Sequence, residues 1–297
     1  VDGALSNPLT GASVIREGVL SLDDLNDFDA ILTDIYAGCK IQSVAADAAI
    51  SESGIGQFEV NLRHSEDAMR VADDAMLFKN IVKSVARKHG LAASFMAKPF
   101  AQRPGSGLHM HFSILDGAGA NIFDNGDADG SAMLLHAVAG VLAAMPESML
   151  LFAPHLNSYR RLTPDQHAPM VACWGYENRT TALRIPAGDN ESIRIEHRVA
   201  GADANPYLVA SVILASALEG IKKKQKPIAP MTGEDSASEE KLPRFWEESL
   251  NHFINSEFIE NYLGKELQLN YYRCKKQEKF EFDTRASALE FDAYLSV

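Results

Sequence analysis

In RPGSGLHMHFSIL, residues 103–115, His109, His111 and Ser113 alternate with Leu108, Met110, Phe112 and Ile114, so a strand here carries two imidazoles and a hydroxyl on one face. Two other runs have the same form. Gln57, Glu59, Asn61 and Arg63 alternate with Phe58, Val60 and Leu62; Arg194, Glu196 and Arg198 alternate with Ile193, Ile195, His197 and Val199. Carboxylates and imidazoles lose hydration when buried and then need partners. If the three polar faces converge in one sheet, Glu59, His109, Glu196, Arg63, Arg194 and Arg198 share one cavity. Carboxylate oxygens with a single imidazole suit Mg2+ or Mn2+, whereas zinc gathers more His or Cys. The arginines suit phosphate, which they grip in bidentate fashion.

The alternative for each strand is an antiparallel sheet with one wet face, its Glu and Arg forming cross-strand pairs. Three such faces, with a glycine-rich loop leading into one, favour the ligand reading. His197 has the opposite parity to Glu196 and reads as a packed histidine, as do His64, His89, His136, His155 and His252. In RTTALRIP, 179–186, Arg179 and Arg184 have opposite parity, so a regular strand cannot put both on one face without a bend or bulge.

Helices position these strands. Apolar residues at near-helical spacing from Glu66 to His89 predict a long amphipathic helix, capped by Ser65 and ended by Gly90. A more apolar helix is expected over 131–145, stopped by Pro146. A third opens on Asn205 and Pro206 and finishes at Lys222, Lys223 and Lys224, which complement its C-terminus. Residues 227–243, rich in Pro, Ser and acidic groups, read as a mobile surface loop, and the helical segments beyond it pack on the main body.

The 297 residues, 46% hydrophobic, can bury a large core as one big domain or two ordinary ones. A formal net charge of -12 argues against nonspecific binding of nucleic acid or anionic membrane. Cys39, Cys173 and Cys274 are odd in number, far apart and without a C-x-x-C pair, which fits buried thiols in a reducing cytoplasm. The longest uncharged helical stretches, 131–146 and 206–218, fall short of the ~20 residues that span a bilayer. The N-terminal VDGALSNPLTG lacks a basic segment followed by an apolar one, so no signal peptide is expected.

Five ordered motifs then carry a resemblance. ISESGIGQFEVNLRH (50–64), KPFAQRPGSGLHMHFSI (98–114), NSYRRLTPDQHAP (157–169), ENRTTALRIP (177–186) and SIRIEHRVAGADANPYL (192–208) resemble, in that order, the catalytic domain of glutamine synthetases. The likeness runs from about Ser21 to the C-terminal LEFDAYL. HAP, WGYENRTTALRIP and RIEHRVAGADANPYL are most similar to the gamma-glutamylpolyamine synthetase branch. The resemblance implies one α+β catalytic domain over 1–297, an antiparallel, partly closed sheet backed by helices.

It also implies roles. Glu52 and Glu59 match carboxylates that hold a divalent ion beside substrate glutamate; His109 and Glu196 match ligands of a second ion that bridges the ATP phosphates. Arg161 and Arg198 match residues that hold the glutamate carboxylates, and Gly105 the loop glycine that lets backbone approach glutamate. Arg179, Arg184 and Arg194 match phosphate-contacting arginines, with Arg179 and Arg161 in the catalytic machinery; His111 and Ser113 match positions on the nucleotide side. The implied reaction joins the γ-carboxylate of glutamate to an amine through a γ-glutamyl phosphate, with ATP as co-substrate and two Mg2+ or Mn2+ ions. Family members assemble as homo-oligomers, commonly dodecamers of two hexameric rings.

Departures refine this expectation. His167 stands in the flap where ammonia-using members carry a glutamate that binds and deprotonates ammonium, which favours a larger amine and gives His167 a place in the catalytic set. Pro104 stands where an asparagine often precedes the loop glycine. The family's N-terminal beta-grasp domain and the strand bearing Glu-x-Glu are expected to precede residue 1. The alternatives are a glutamine synthetase using ammonia, and a noncatalytic truncated relative that binds ligands only. A metallohydrolase using H-x-H ranks last, because no aspartate-rich partner motif accompanies it.

Overall fold

The computed structural model describes residues 5–11, 13–14, 18–127, 129–163, 168–188, 192–233 and 241–297. They fall into two compact units that divide between Ser106 and Gly107. In the first unit, helices α1 (Leu22–Asp27) and α2 (Asp29–Ile41) lead into an antiparallel hairpin of β1 (Ala46–Ser51) and β2 (Phe58–Leu62), followed by α3 (Ala68–Lys88). Phe28, Ile31, Ile35, Cys39, Val44, Ile81 and Val85 form its core, and the Phe28 and Phe58 rings meet at 5.1 Å. α2 and α3 approach closely at Gly38, where a Cβ would lie 2.8 Å from Ile81 Cγ2. The cap of α3 is Asp67, whose side chain accepts from the Met69 and Arg70 amides. The expected cap, Ser65, instead accepts from the Asp67 amide.

In the second unit a sheet runs in the order β3 (Met110–Phe112), β6 (Ile195–His197), β5 (Leu183–Ile185), β4 (Trp174–Tyr176). Two expectations need correction here. The sheet is mixed, because β4 pairs with β5 in parallel, and open, with β3 and β4 at its edges among the described residues. The three polar strand faces do not share one sheet: among the described residues β2 pairs with β1 alone, while β3 and β6 pair with each other. Arg179 and Arg184 also resolve: Arg184 is central in β5, whereas Arg179 sits in the turn before it, so no bulge is needed.

The apolar sheet face, with Leu183, Ile185, Ile193 and Ile195, packs into one core with α4 (Ala132–Phe152) and α6 (Pro206–Lys223). Leu108, Met110, Phe112 and Ile114, the apolar half of the two-histidine strand, pack against the same core. Pro146 does not end α4; it lies buried inside it. Proline removes one N–H and crowds the preceding turn, at about 3 kcal/mol in a helix interior. Burial of Met145, Met149, Leu150, Leu151 and Phe152 in the core outweighs that. At 21 residues α4 is long and apolar enough to cross a membrane by composition, contrary to the expectation from 131–146, but 72% of its apolar window is buried inside the protein.

α4 and α6 touch backbone to backbone. A Cβ on Gly140 would fall 2.1 Å from Ser216 O, and one on Gly220 would fall 2.1 Å from His136 O. Around the core lie α5 (Leu156–Tyr159), α7 (Trp246–Ile254), α8 (Glu257–Leu263), α9 (Lys265–Asp283) and α10 (Ala288–Tyr294). α6 starts on its Asn205 cap and ends with Lys224 in the left-handed region, matching the sequence reading. Of the cysteines, Cys39 and Cys173 are buried as expected, but Cys274 is exposed on α9.

His197 is fully buried, 4.4 Å from the Phe152 ring, and neither ring nitrogen has a partner among the described residues. Burial, and then the nearby Arg161 charge, lower its pKa from 6.5 to about 3, so the folded state keeps it neutral. The unfolded chain takes up that proton near pH 6.5 and the folded chain does not, so stability falls as pH drops from about 6.5 towards 3.

Two outcomes are expected from this packing. Gly140→Ala and Gly220→Ala should each lower stability in urea unfolding by roughly 1–3 kcal/mol, although alanine is normally the better helix former. His197→Phe should leave stability at pH 7 within about 1.5 kcal/mol of the parent, and its advantage should then grow as pH is lowered below 6.5.

Candidate active site

The polar face of the second unit's sheet is organised around Glu196, at the centre of β6 and only 2% exposed. Strand register sets its neighbours: His111 of β3 lies directly opposite on one side and Arg184 of β5 on the other. Oε2 accepts from Arg184 Nη1 at 2.9 Å, and Oε1 accepts from Arg198 Nη1 at 2.5 Å. His109 Nδ1 stands 3.4 Å and His111 Nε2 3.9 Å from Oε1. Burial alone would raise the Glu196 pKa, but its cationic neighbours, Arg198 first, outweigh this and hold it below the ordinary carboxylate range.

The histidines are held neutral. Burial and then Arg198 lower His109 to about 3, even though its side chain retains 30% exposure. His111 is lowered chiefly by burial, with Glu196 opposing. Arg194 Nε donates to His111 Nδ1 at 3.2 Å, which leaves the ring proton on Nε2, facing Glu196. Ser113, two residues on, is exposed.

The arginines form two groups. Arg184 lies between Glu196 and Glu177, whose Oε2 accepts from Nη2 at 3.2 Å, and Arg179 is a charge neighbour of Glu177. Arg161 is buried, and two of its five donors hold the carbonyls of Val199 (2.8 Å) and Arg198 (3.3 Å). Burial lowers its pKa to about 10, with Asp203 opposing, so it stays charged at neutral pH. Asp203 itself is held by the Ser158 hydroxyl at 2.6 Å. A Cβ on Gly107 would lie 2.8 Å from Arg161 Nη2 and 3.3 Å from His109 Nε2, so this glycine makes room for both side chains. Arg184, Arg194 and Arg198 against Glu196 and Glu177 leave this face with one excess positive charge, suited to an anion.

In the first unit, Ile50 pairs with Glu59, and the Glu52 amide donates to Gln57 O at 2.8 Å, extending the ladder. Glu52, Gln57 and Glu59 therefore share one hairpin face. The Gln57 amide reaches from that face to Gly105 O at 2.9 Å and to the Ser106 hydroxyl at 3.2 Å, tying the glycine loop to the hairpin that carries both carboxylates. His167 lies outside the described residues, as does the 234–240 portion of the 227–243 loop.

Sequence reasoning missed Glu177, Asp203, Gln57 and Gly107. Gln57 and Gly107 belonged to motifs already noted. So did Glu177 and Asp203, but nothing in residue type marks Glu177 as the partner of Arg184, seven positions on, and Asp203 takes its partner Ser158 from a distant segment.

These donors suit a hard divalent cation in part. His109 is neutral, Glu196 is ionised, and their facing atoms are 3.4 Å apart, within the span of two ligands at about 2.1 Å from one ion. Among the described residues, no three His, Cys, Asp or Glu side chains gather at metal-binding spacing, so each candidate ligand set is a pair.

Residues 4–294 match the family model of the glutamine synthetase catalytic domain. The chain belongs to that family. It is similar to gamma-glutamylputrescine synthetase PuuA of Escherichia coli (strain K12), at 40% identity over 92% of this chain and 58% of that protein. It is also similar to the glutamate–isopropylamine ligase of a Pseudomonas species, at 35% identity over 90% of this chain and 59% of that protein. A solved structure described as a GmaS/ADP complex superposes with a TM-score of 0.87 at 27% identity, covering 97% of this chain and 69% of that one. The fold is thus the glutamine synthetase-like α+β fold, and the chain spans somewhat under three-fifths of the curated relatives just named.

The Glu196 cluster makes a direct prediction. Glu196→Ala leaves Arg184 and Arg198, with 14% and 10% of their side chains exposed, without their buried carboxylate. In metal-free buffer it should cost about 3–5 kcal/mol by chemical denaturation, with Glu196→Gln losing less because it keeps an acceptor.

Proposed function

We propose that the protein of which this chain is part is an ATP-dependent glutamate–amine ligase, acting on a polyamine or a similar amine. The observation that carries the reading is the ionised Glu196, flanked by neutral His109 and three arginines on one sheet face, in a chain of the glutamine synthetase catalytic family. In this reading the two units together act as one catalytic domain over 1–297. The protein is cytoplasmic and works as a homo-oligomer of the family's two-ring type.

Residues take roles from their chemistry. His109 and Glu196 hold one divalent ion, Mg2+ or Mn2+, and Glu52 and Glu59 hold another. When bound, such ions neutralise phosphate charge and help to align the transferring group. Arg179, Arg184 and Arg194 hold ATP phosphates and offset the charge that develops as the γ-carboxylate oxygen of glutamate attacks the γ-phosphorus and ADP leaves. Arg161 and Arg198 hold substrate carboxylates, with Gly105 leaving the backbone open to approach, and His111 and Ser113 line the nucleotide side. The amine nitrogen, neutral when it attacks, then forms the C–N bond while phosphate departs. His167 replaces an acidic group that would favour ammonium, and so favours a larger amine.

Support for the polyamine preference comes from the similarity to a gamma-glutamylputrescine synthetase. The test is phosphate release by the full-length protein with glutamate and ATP across ammonia, putrescine, spermidine and isopropylamine. Putrescine or spermidine is expected to give the highest kcat/KM. Ammonia as the best acceptor would overturn the amine assignment, and no amine-dependent release would overturn the ligase assignment.

A further inference from the structure

We propose that Glu177 is a positioning residue for the phosphate-binding arginines: its carboxylate fixes where the Arg184 guanidinium points, with no contact to nucleotide of its own. The proposal rests on the reading of Arg184 and Arg179 as phosphate contacts. Glu177 directly follows β4 with φ at 53°, a left-handed conformation that costs a non-glycine residue about 1–2 kcal/mol. Its amide nevertheless continues the parallel ladder, donating to Ile185 O at 3.0 Å. Its carboxylate binds the Ala187 amide and Arg184 Nη2, so one side chain ties the end of β4 to the segment after β5 and to the arginine projecting from β5.

Arg184 is thereby suspended between two carboxylates, Nη1 on Glu196 at 2.9 Å and Nη2 on Glu177 at 3.2 Å, which fixes the plane of its fork. With its carboxylate half exposed, the Glu177–Arg184 pair contributes only modest stability on its own, so fold stability alone does not account for a strained backbone kept in order to make it. Fixing the fork does, because bidentate recognition of phosphate depends on the plane of the guanidinium.

Charge and position predict opposite signs. Removing a negative charge beside a phosphate site should tighten anion binding by simple Coulomb attraction; removing a positioning group should weaken it. Glu177→Gln keeps the shape and an acceptor for the Ala187 amide while removing the charge that orients Arg184. In the full-length protein, ATP affinity with Mg2+ is expected to weaken roughly ten-fold, the scale on which loss of an outer-shell partner acts at metal sites. The ATP KM should rise with it, while the melting temperature and the glutamate KM stay near those of the parent. Glu177→Gly, relieved of strain at this φ, should match or exceed the parent in melting temperature and still lose ATP affinity. Unchanged or tighter ATP binding in both variants, with Arg184→Ala weakened, would overturn the positioning role. Unchanged binding in Arg184→Ala as well would overturn the phosphate reading beneath it.

Discussion

Glu196 is an ionised carboxylate where water barely reaches, and the polar face of the second unit is arranged to keep it charged. A lone buried carboxylate would take up a proton; Arg184 and Arg198 supply the opposing charge, and strand register sets Arg184 and His111 on either side of it. The same arrangement keeps both imidazoles neutral, because burial and the neighbouring guanidinium groups penalise a further positive charge. Neutral nitrogen, ionised oxygen and oriented guanidinium groups are what a hard cation and a phosphate chain require of a protein.

Such a face needs a rigid base. The sheet is short and open, so its rigidity comes from the core beneath. α4 runs through a proline because the side chains on either side of it are buried, and α4 meets α6 where two glycines allow backbone contact. His197 shows how closely the two faces are coupled. It follows Glu196 in the chain, points the opposite way into the core, and accepts burial with no hydrogen-bond partner among the described residues by remaining neutral.

Much of the site was legible from alternation. His109, Glu196, Arg194 and Arg198 on one polar face follow from period-two spacing, whereas Arg184 entered only through the resemblance. The misjudged features share a physical cause. Pro146 obeys local propensity only when packing is weak, and here the core outweighs it. The single sheet failed because alternation identifies a polar face and says nothing about which strand pairs with which; β2 found its partner in β1. The separation of Arg179 from β5 turned on strand length, which hydrophobicity does not specify.

The residue types, their parity and their order along the chain determined the family, the polar strand faces and the chemistry those faces can hold, because strand geometry sends alternate side chains to opposite sides in any fold. Only the tertiary structure decided the strand pairing and the two sheets. It also decided that Glu177 rather than solvent holds Arg184, and that Gly107, Gly140 and Gly220 sit where no side chain fits. The glycine contacts join segments far apart in the chain, and even the short reach from Glu177 to Arg184 depends on the pairing of β4 with β5, so the free energy of these contacts is written in no single stretch of sequence.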